Sequence, residues 1–173
     1  MRREVIRARG LGRTLLLPSS PSAIIPVSFM LAPTAGPDGN AQAIAIRLLA
    51  RDPFSQWLGL AIKDVRLGYC SLYFRVRPDM LNGFGALHGG VAFSAAESAF
   101  ALACNTHGRQ SVSLTATMDY LETGRLGDVL LVEAREESLK DKMSIYLLRL
   151  TNQHGTLLAM FKGTAYRTRH ELL

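Results

Sequence analysis

Apolar and polar residues alternate with period two along most of this chain, and one stretch in the middle breaks that rule. Cys70, Leu72, Phe74 and Val76 alternate with Ser71, Tyr73, Arg75 and Arg77, the pattern of a half-buried strand. Just before it, Leu58, Leu60 and Ile62, then Val65 and Leu67, predict an extended run from Trp57 to Leu67, broken by Gly68. Four more runs follow residue 108. Val112, Leu114, Ala116, Met118 and Tyr120 form one side of the first. The second carries Val129 and Leu131, or Leu130, Val132 and Ala134 on its opposite side. The third spans Met143 to Asn152 and the fourth Thr156 to Thr168. The turns between them, Glu122–Gly127, Lys140–Lys142 and Asn152–Gly155, are short, which argues an antiparallel meander.

The exception is the stretch from Leu87 to Gly108. It opens on His88-Gly89-Gly90 and continues in apolar and small residues, with Glu97 the sole charge between Gly89 and Cys104. Apolar residues fall on every side of a helical wheel, so the pattern predicts a fully buried helix. Its six alanines, Ala92, Ala95, Ala96, Ala99, Ala101 and Ala103, favour helix and keep it slim. Ser94, Glu97 and Ser98 share one face. Gly108 predicts the stop, and His107 in the last turn suits the negative end of the dipole. A shorter helix is expected from Asn40, as N-cap, through Arg51, with Pro53 ending it. One long buried helix with five or six antiparallel strands defines an α+β domain.

Composition refines this picture in a few places. The chain has 173 residues, enough for one domain with a sizeable core. Residues 1–39 hold five of the seven prolines and five arginines against Glu4 and Asp38, and predict a flexible basic extension ahead of a domain at 40–173. Removing that extension is expected to leave folding and activity intact. No apolar run is long enough to span a bilayer, and no secretory signal pattern is evident. The net charge of +6 shows no basic stripe interleaved with aromatics, so it speaks against a nucleic-acid partner. Cys70 and Cys104 sit inside apolar patterns, as expected of reduced thiols in a cytoplasmic protein. His88, His107, His154 and His170 are scattered, so no metal site is expected.

A lone carboxylate in an apolar helix calls for a partner or a function. Either Glu97 pairs with an Arg or Lys from elsewhere, or it does chemistry. Gly89 and Gly90 bare the backbone N–H groups at the positive end of the helix, where a carbonyl oxygen gaining negative charge would be stabilised. Alternatively, the glycines serve only close packing.

At these residues the chain resembles a family: the hotdog-fold acyl-CoA thioesterases similar to the phenylacetic acid degradation protein PaaI. The resemblance rests on Met80-Leu81-Asn82-Gly83, His88-Gly89-Gly90, Phe93-Ser94, Ala99-Phe100-Ala101, Ala103-Cys104-Asn105 and Val112-Ser113. It continues through Asp119-Tyr120-Leu121, Gly127-Asp128 and Phe161-Lys162-Gly163, covering Leu48 to Arg167. Asn, five residues, His-Gly-Gly, and an acid nine residues after the His form its most specific combination. Two departures stand out: Glu97 occupies a position usually held by Asp, and Leu121-Glu122-Thr123-Gly124 replaces a proline-glycine turn.

The resemblance implies a hotdog fold, a long helix wrapped by a five- to six-stranded antiparallel sheet. It also implies hydrolysis of an aromatic, phenylacetyl-like, or medium acyl-CoA, with coenzyme A as part of the substrate and no further cofactor. Glu97 would attack the carbonyl or activate water. The Gly89 N–H would polarise the carbonyl, and His88 would orient its loop or hold a water; alternatively His88 is a helix-start residue with a satisfied ring. Asn82 and Ser113 match positions that place the water or orient the acid; alternatively they are a turn residue and an ordinary strand serine. Gly90, Arg109, Arg125, Lys140 and Lys142 are candidates for contacts with substrate and CoA phosphates, or else solvated groups. Phe84, Phe93 and Phe100 would line an acyl pocket or fill the core. Competing readings are a hotdog acyl dehydratase and a non-catalytic acyl-CoA-binding module.

Spacing adds one constraint. Gly89 and Glu97 are eight residues apart, about 12 Å along a helix at roughly 1.5 Å per residue. Reacting atoms must come within about 3–3.5 Å of each other. If both residues act on one carbonyl, they come from two chains related by a two-fold axis. A homodimer, or a dimer of dimers, is therefore expected.

Overall fold

The computed structural model describes residues 36–172 and, ahead of them, the two-residue strands β1 (Val5–Ile6) and β2 (Leu15–Leu16), which pair antiparallel. The other residues of the expected extension as far as 35 lie outside the described ones, while 36–39 belong to the start of the first helix. Helix α1 runs Pro37–Leu49, so it begins before Asn40. Gly36 occupies the N-cap and Pro37 the first turn, where a missing N–H costs nothing. Asn40 is thus a helix residue and not the cap. Ala41, Ile44, Ala45 and Leu49 bury one stripe of α1, and Asp38 accepts a hydrogen bond from the Leu67 N–H at 3.0 Å. A cut after Gly39 would remove that first turn. Pro53 opens rather than closes a helix: α2 (Pro53–Trp57) is capped by Asp52, which accepts from the Phe54 and Ser55 N–H groups.

Six strands form one antiparallel sheet: β3 (Ala61–Arg66), β4 (Tyr69–Arg75), β5 (Arg109–Tyr120), β6 (Val129–Leu139), β7 (Met143–Thr151) and β8 (Leu157–Glu171). Their spatial order is β3-β4-β6-β7-β8-β5. The long helix α3 (Gly89–Asn105) precedes β5 and packs against β4, β5, β6, β7 and β8. Leu72, Phe74, Val132, Tyr146, Leu148 and Phe161 fill the space between sheet and helix. Alternation succeeded in β4, β6, β7 and β8 because one face of each meets this core.

The expected meander holds only for β6, β7 and β8, since β5 pairs with β8 and not with β6, and the run expected from Trp57 becomes a strand only at Ala61, Trp57 being helical. Two further features differ from the pattern-based reading. First, α3 is not buried all round. Val91, Phe93, Ser94, Glu97 and Ala101 are half-buried, and Gly90 is exposed. Small residues on this stripe blur the amphipathic signal. Second, β5 does not keep one phase. A bulge between Ser113 and Thr115 shifts its register against β8. Ahead of it, Ser113 faces α3 while Val112 and Leu114 are exposed; beyond it, Ala116 and Met118 pack on the core. β5 also lies at the edge of the sheet. Among the described helices none is long and apolar enough to cross a membrane.

Candidate active site

The start of α3 is arranged so that one backbone donor stays unused. His88 is the N-cap, and its Nδ1 accepts from the Gly90 N–H at 2.9 Å. The Val91 and Ala92 N–H groups both donate to the His88 carbonyl. Among the described residues no acceptor meets the Gly89 N–H. The helix therefore presents a single free donor at the positive end of its dipole. With Nδ1 accepting, the proton of a neutral His88 sits on Nε2. Gly90, expected to touch substrate, has its N–H occupied by this cap, and its own Cβ would sit 3.0 Å from the ring.

Asn82 holds the neighbouring loop. Its Oδ1 accepts from the Phe84 and Ala86 N–H groups, at 2.9 and 3.2 Å, and its own N–H donates to the Ala86 carbonyl. This is a turn role; the Nδ2 group has no partner among the described residues. The loop tip carries Phe84, which is 96% exposed, so it belongs to neither core nor pocket in the single chain. Phe100 is fully buried against Tyr146 and Phe161, while half-buried Phe93 packs edge-on against Phe161. Phe100 is core, and Gly163 makes room for it: a Cβ there would lie 2.7 Å from the ring.

Two turns along α3, Glu97 forms no ion pair among the described residues, so pairing with an Arg or Lys is not its role there. Its Oε1 accepts from the Ser113 hydroxyl at 2.9 Å. Ser98, expected on the same face, turns away and meets Ser55 at 2.9 Å. The cysteines offer no rival nucleophile, since burial, with the Glu97 charge second, pushes the Cys104 thiol up to about 12. Cys70 is also shifted up by burial.

Beside Gly89 a cavity of about 220 Å³ opens between α3, the end of β5 and the loop from Asn82. Leu87, Tyr120, Gly124, Leu150 and Leu158 line it. Of these, Leu150 and Leu158 were indistinguishable from ordinary strand residues in the sequence, and Tyr120 was marked only by the family resemblance; the register that sets Tyr120 opposite Ala159 brings them to Gly89. The cationic candidates separate into two places. Arg125 lies in the turn that follows this cavity. Arg109, Lys140 and Lys142 gather at the other end of β5, where Arg109 is tied to Asp141 and the Thr168 carbonyl. Arg125, Lys140 and Lys142 form no side-chain hydrogen bond or ion pair among the described residues.

Residues 84–159, which hold α3, β5, β6, β7 and the first residues of β8, match the model of the thioesterase superfamily. The acyl-coenzyme A thioesterase PaaI of Escherichia coli is 34% identical over 116 residues, 67% of this chain and 83% of that protein. The chain belongs to the thioesterase superfamily. The structure of E. coli PaaI superposes with a TM-score of 0.77, covering 79% of this chain and 99% of that one at 30% identity. A mutant of the phenylacetic acid degradation protein PaaI from Thermus thermophilus gives 0.66, covering 68% and 100% at 36% identity. A Streptococcus mutans protein bound to acetyl CoA gives 0.62, covering 63% and 88% at 26% identity. This protein is thus a hotdog-fold thioester hydrolase of the PaaI type.

Proposed function

We propose that this thioesterase hydrolyses an acyl-CoA bearing one aromatic ring, or a medium acyl chain, at a site shared by two copies of the chain. The observation that carries the proposal is the pairing of an unused Gly89 N–H with a Ser113-oriented Glu97 carboxylate on one rigid helix. They stand about 12 Å apart at roughly 1.5 Å per residue, too far to meet at one carbon. A two-fold axis between antiparallel copies of α3 brings each Glu97 to its partner's helix start. The uncovered β5 edge, with exposed Val112 and Leu114 beside Ser113, supports pairing at that edge. Apolar Met143, Leu147 and Tyr166 on strands β7 and β8 remain exposed and support assembly of two such dimers.

In this arrangement the Gly89 N–H binds the thioester oxygen as charge develops on it. The partner's carboxylate either takes a proton from the attacking water, or attacks itself and leaves a mixed anhydride that water then cleaves to the acid and free Glu97. The new C–O bond forms, the C–S bond breaks and CoA leaves as the thiol. The 220 Å³ cavity compares with roughly 150 Å³ for an apolar cavity that admits benzene, which suits a single ring. Lys140, Lys142 and Arg167 near the start of β5 would meet CoA phosphates.

The test follows thiol release from phenylacetyl-, benzoyl- and hexanoyl-CoA. Loss of release in Glu97→Gln, with the fold intact, supports the proposal; release unchanged in that variant overturns it. Sharing is tested by mixing inactive Glu97→Ala with inactive Gly89→Pro, which keeps the helix start but has no N–H. A heterodimer then holds one intact site, and random mixing restores about a quarter of wild-type activity. No restoration after subunit exchange places both groups of a site in one chain.

A further inference from the structure

We propose that Tyr120 is a positioning residue that clamps Gly89 and so holds its N–H toward the substrate; the proposal rests on the hydrolysis described above. Of the first-turn residues, Gly89 carries the free donor and, like Gly90, has the wide conformational choice that comes with having no Cβ. A donor lowers a barrier most when its direction is set before the reaction. His88 fixes the residue after Gly89 through the Gly90 N–H. Tyr120 holds the same Gly89–Gly90 peptide unit from its other side: its hydroxyl donates to the Gly89 carbonyl at 3.0 Å. Its ring fills the space where a side chain would begin, with Cζ 3.3 Å from the position of a Gly89 Cβ.

The two residues therefore fit each other. Glycine lets the ring lie a few tenths of an ångström closer than a Cβ would allow, and the ring restricts the glycine. The clamp has a firm base in the sheet. Tyr120 pairs with Ala159, and the next two N–H groups, of Leu121 and Glu122, both donate to the Leu158 carbonyl. Gly124 accepts from the Leu87 N–H, which ties the same turn to the loop leading into α3. Tyr120 also walls the cavity beside Gly89, so the clamp and the wall are one side chain. It is 56% exposed, so its hydrogen bond is partly screened and its effect on rate is modest.

The experiment compares Tyr120→Phe, which keeps the ring and removes the hydroxyl, with wild type. Loss of one hydrogen bond predicts a kcat about five- to tenfold lower with KM within about twofold and melting unchanged. In Gly89→Ala the new methyl presses the ring back by a few tenths of an ångström and weakens the hydrogen bond, so adding Tyr120→Phe costs less there than in the wild type. Wild-type kcat in Tyr120→Phe, a rise in KM alone, or additive losses in the double variant would overturn the proposal. Backbone ¹⁵N relaxation reads the clamp without turnover: the Gly89 amide gains mobility in Tyr120→Phe, and unchanged order there would refute it. If wild type released no thiol from any acyl-CoA, the function proposed above would fail, while the relaxation result would still decide the clamp.

Discussion

The two ends of α3 are built for opposite purposes. At its C-terminal end nearly every polar group is matched. Asn105 donates to the Ala101 and Ser111 carbonyls and accepts from the Ser111 N–H. Thr106 donates to the Ala103 carbonyl and accepts from the Gly68 N–H. His107 meets Glu136 at 2.8 Å, and the Tyr146 hydroxyl donates to the same carboxylate oxygen at 2.6 Å. The N-terminal end is exposed, keeps one donor free and borders a cavity. A satisfied polar network fixes the helix on the sheet, and that anchorage lets the other end remain under-satisfied. The network reaches the site through a short path: Asn105 pins Ser111, and two residues later Ser113 orients Glu97.

Substitutions at the two ends should separate rate from stability. Glu97→Gln should lower kcat by about 10³ or more with little change in melting, because the side chain has one hydrogen-bond partner. A large loss of stability there would mean that Glu97 belongs to the anchor. Asn105→Ala removes three hydrogen bonds to backbone groups from a buried position and should cost about 2–4 kcal/mol in denaturant unfolding, with turnover per folded molecule nearly kept. Turnover lost in proportion would show that the anchor sets the site's geometry directly. Ser113→Ala should reduce kcat about three- to tenfold, since it orients the acid without reacting.

The smallest effect concerns the thiols. Their raised pKa values favour the folded state fully below the ordinary thiol value of 9.0, and that stability is lost as pH rises toward about 12. At pH 8, labelling of Cys70 and Cys104 by a thiol reagent should proceed only as fast as global unfolding. Faster labelling would reveal local opening at the C-terminal end of α3.

Much of this was legible before any coordinates. Period-two runs located β4, β6, β7 and β8 because each buries one face and exposes the other. Asn82, His88-Gly89-Gly90 and Glu97, with their spacing, pointed to the site, and the rise per residue of a helix required two chains if both ends act together. Other features had no local sign. The bulge after Ser113 re-phases β5 by pairing with β8, so counting alternation along β5 alone placed Val112 with Ala116. Asp52 captured the N–H groups of α2, which made Pro53 a beginning instead of an end.

What the sequence determined by itself was the set of elements and the chemistry offered at α3, because both depend on spacing within a short segment. What only the tertiary structure decided was which neighbours meet that chemistry. Tyr120 reaches Gly89, Ser113 reaches Glu97 and His88 consumes the Gly90 donor through strand register and cap geometry. Those contacts join residues up to 31 positions apart. Register is set by the whole sheet packing on one helix, and no stretch of chain read alone contains it.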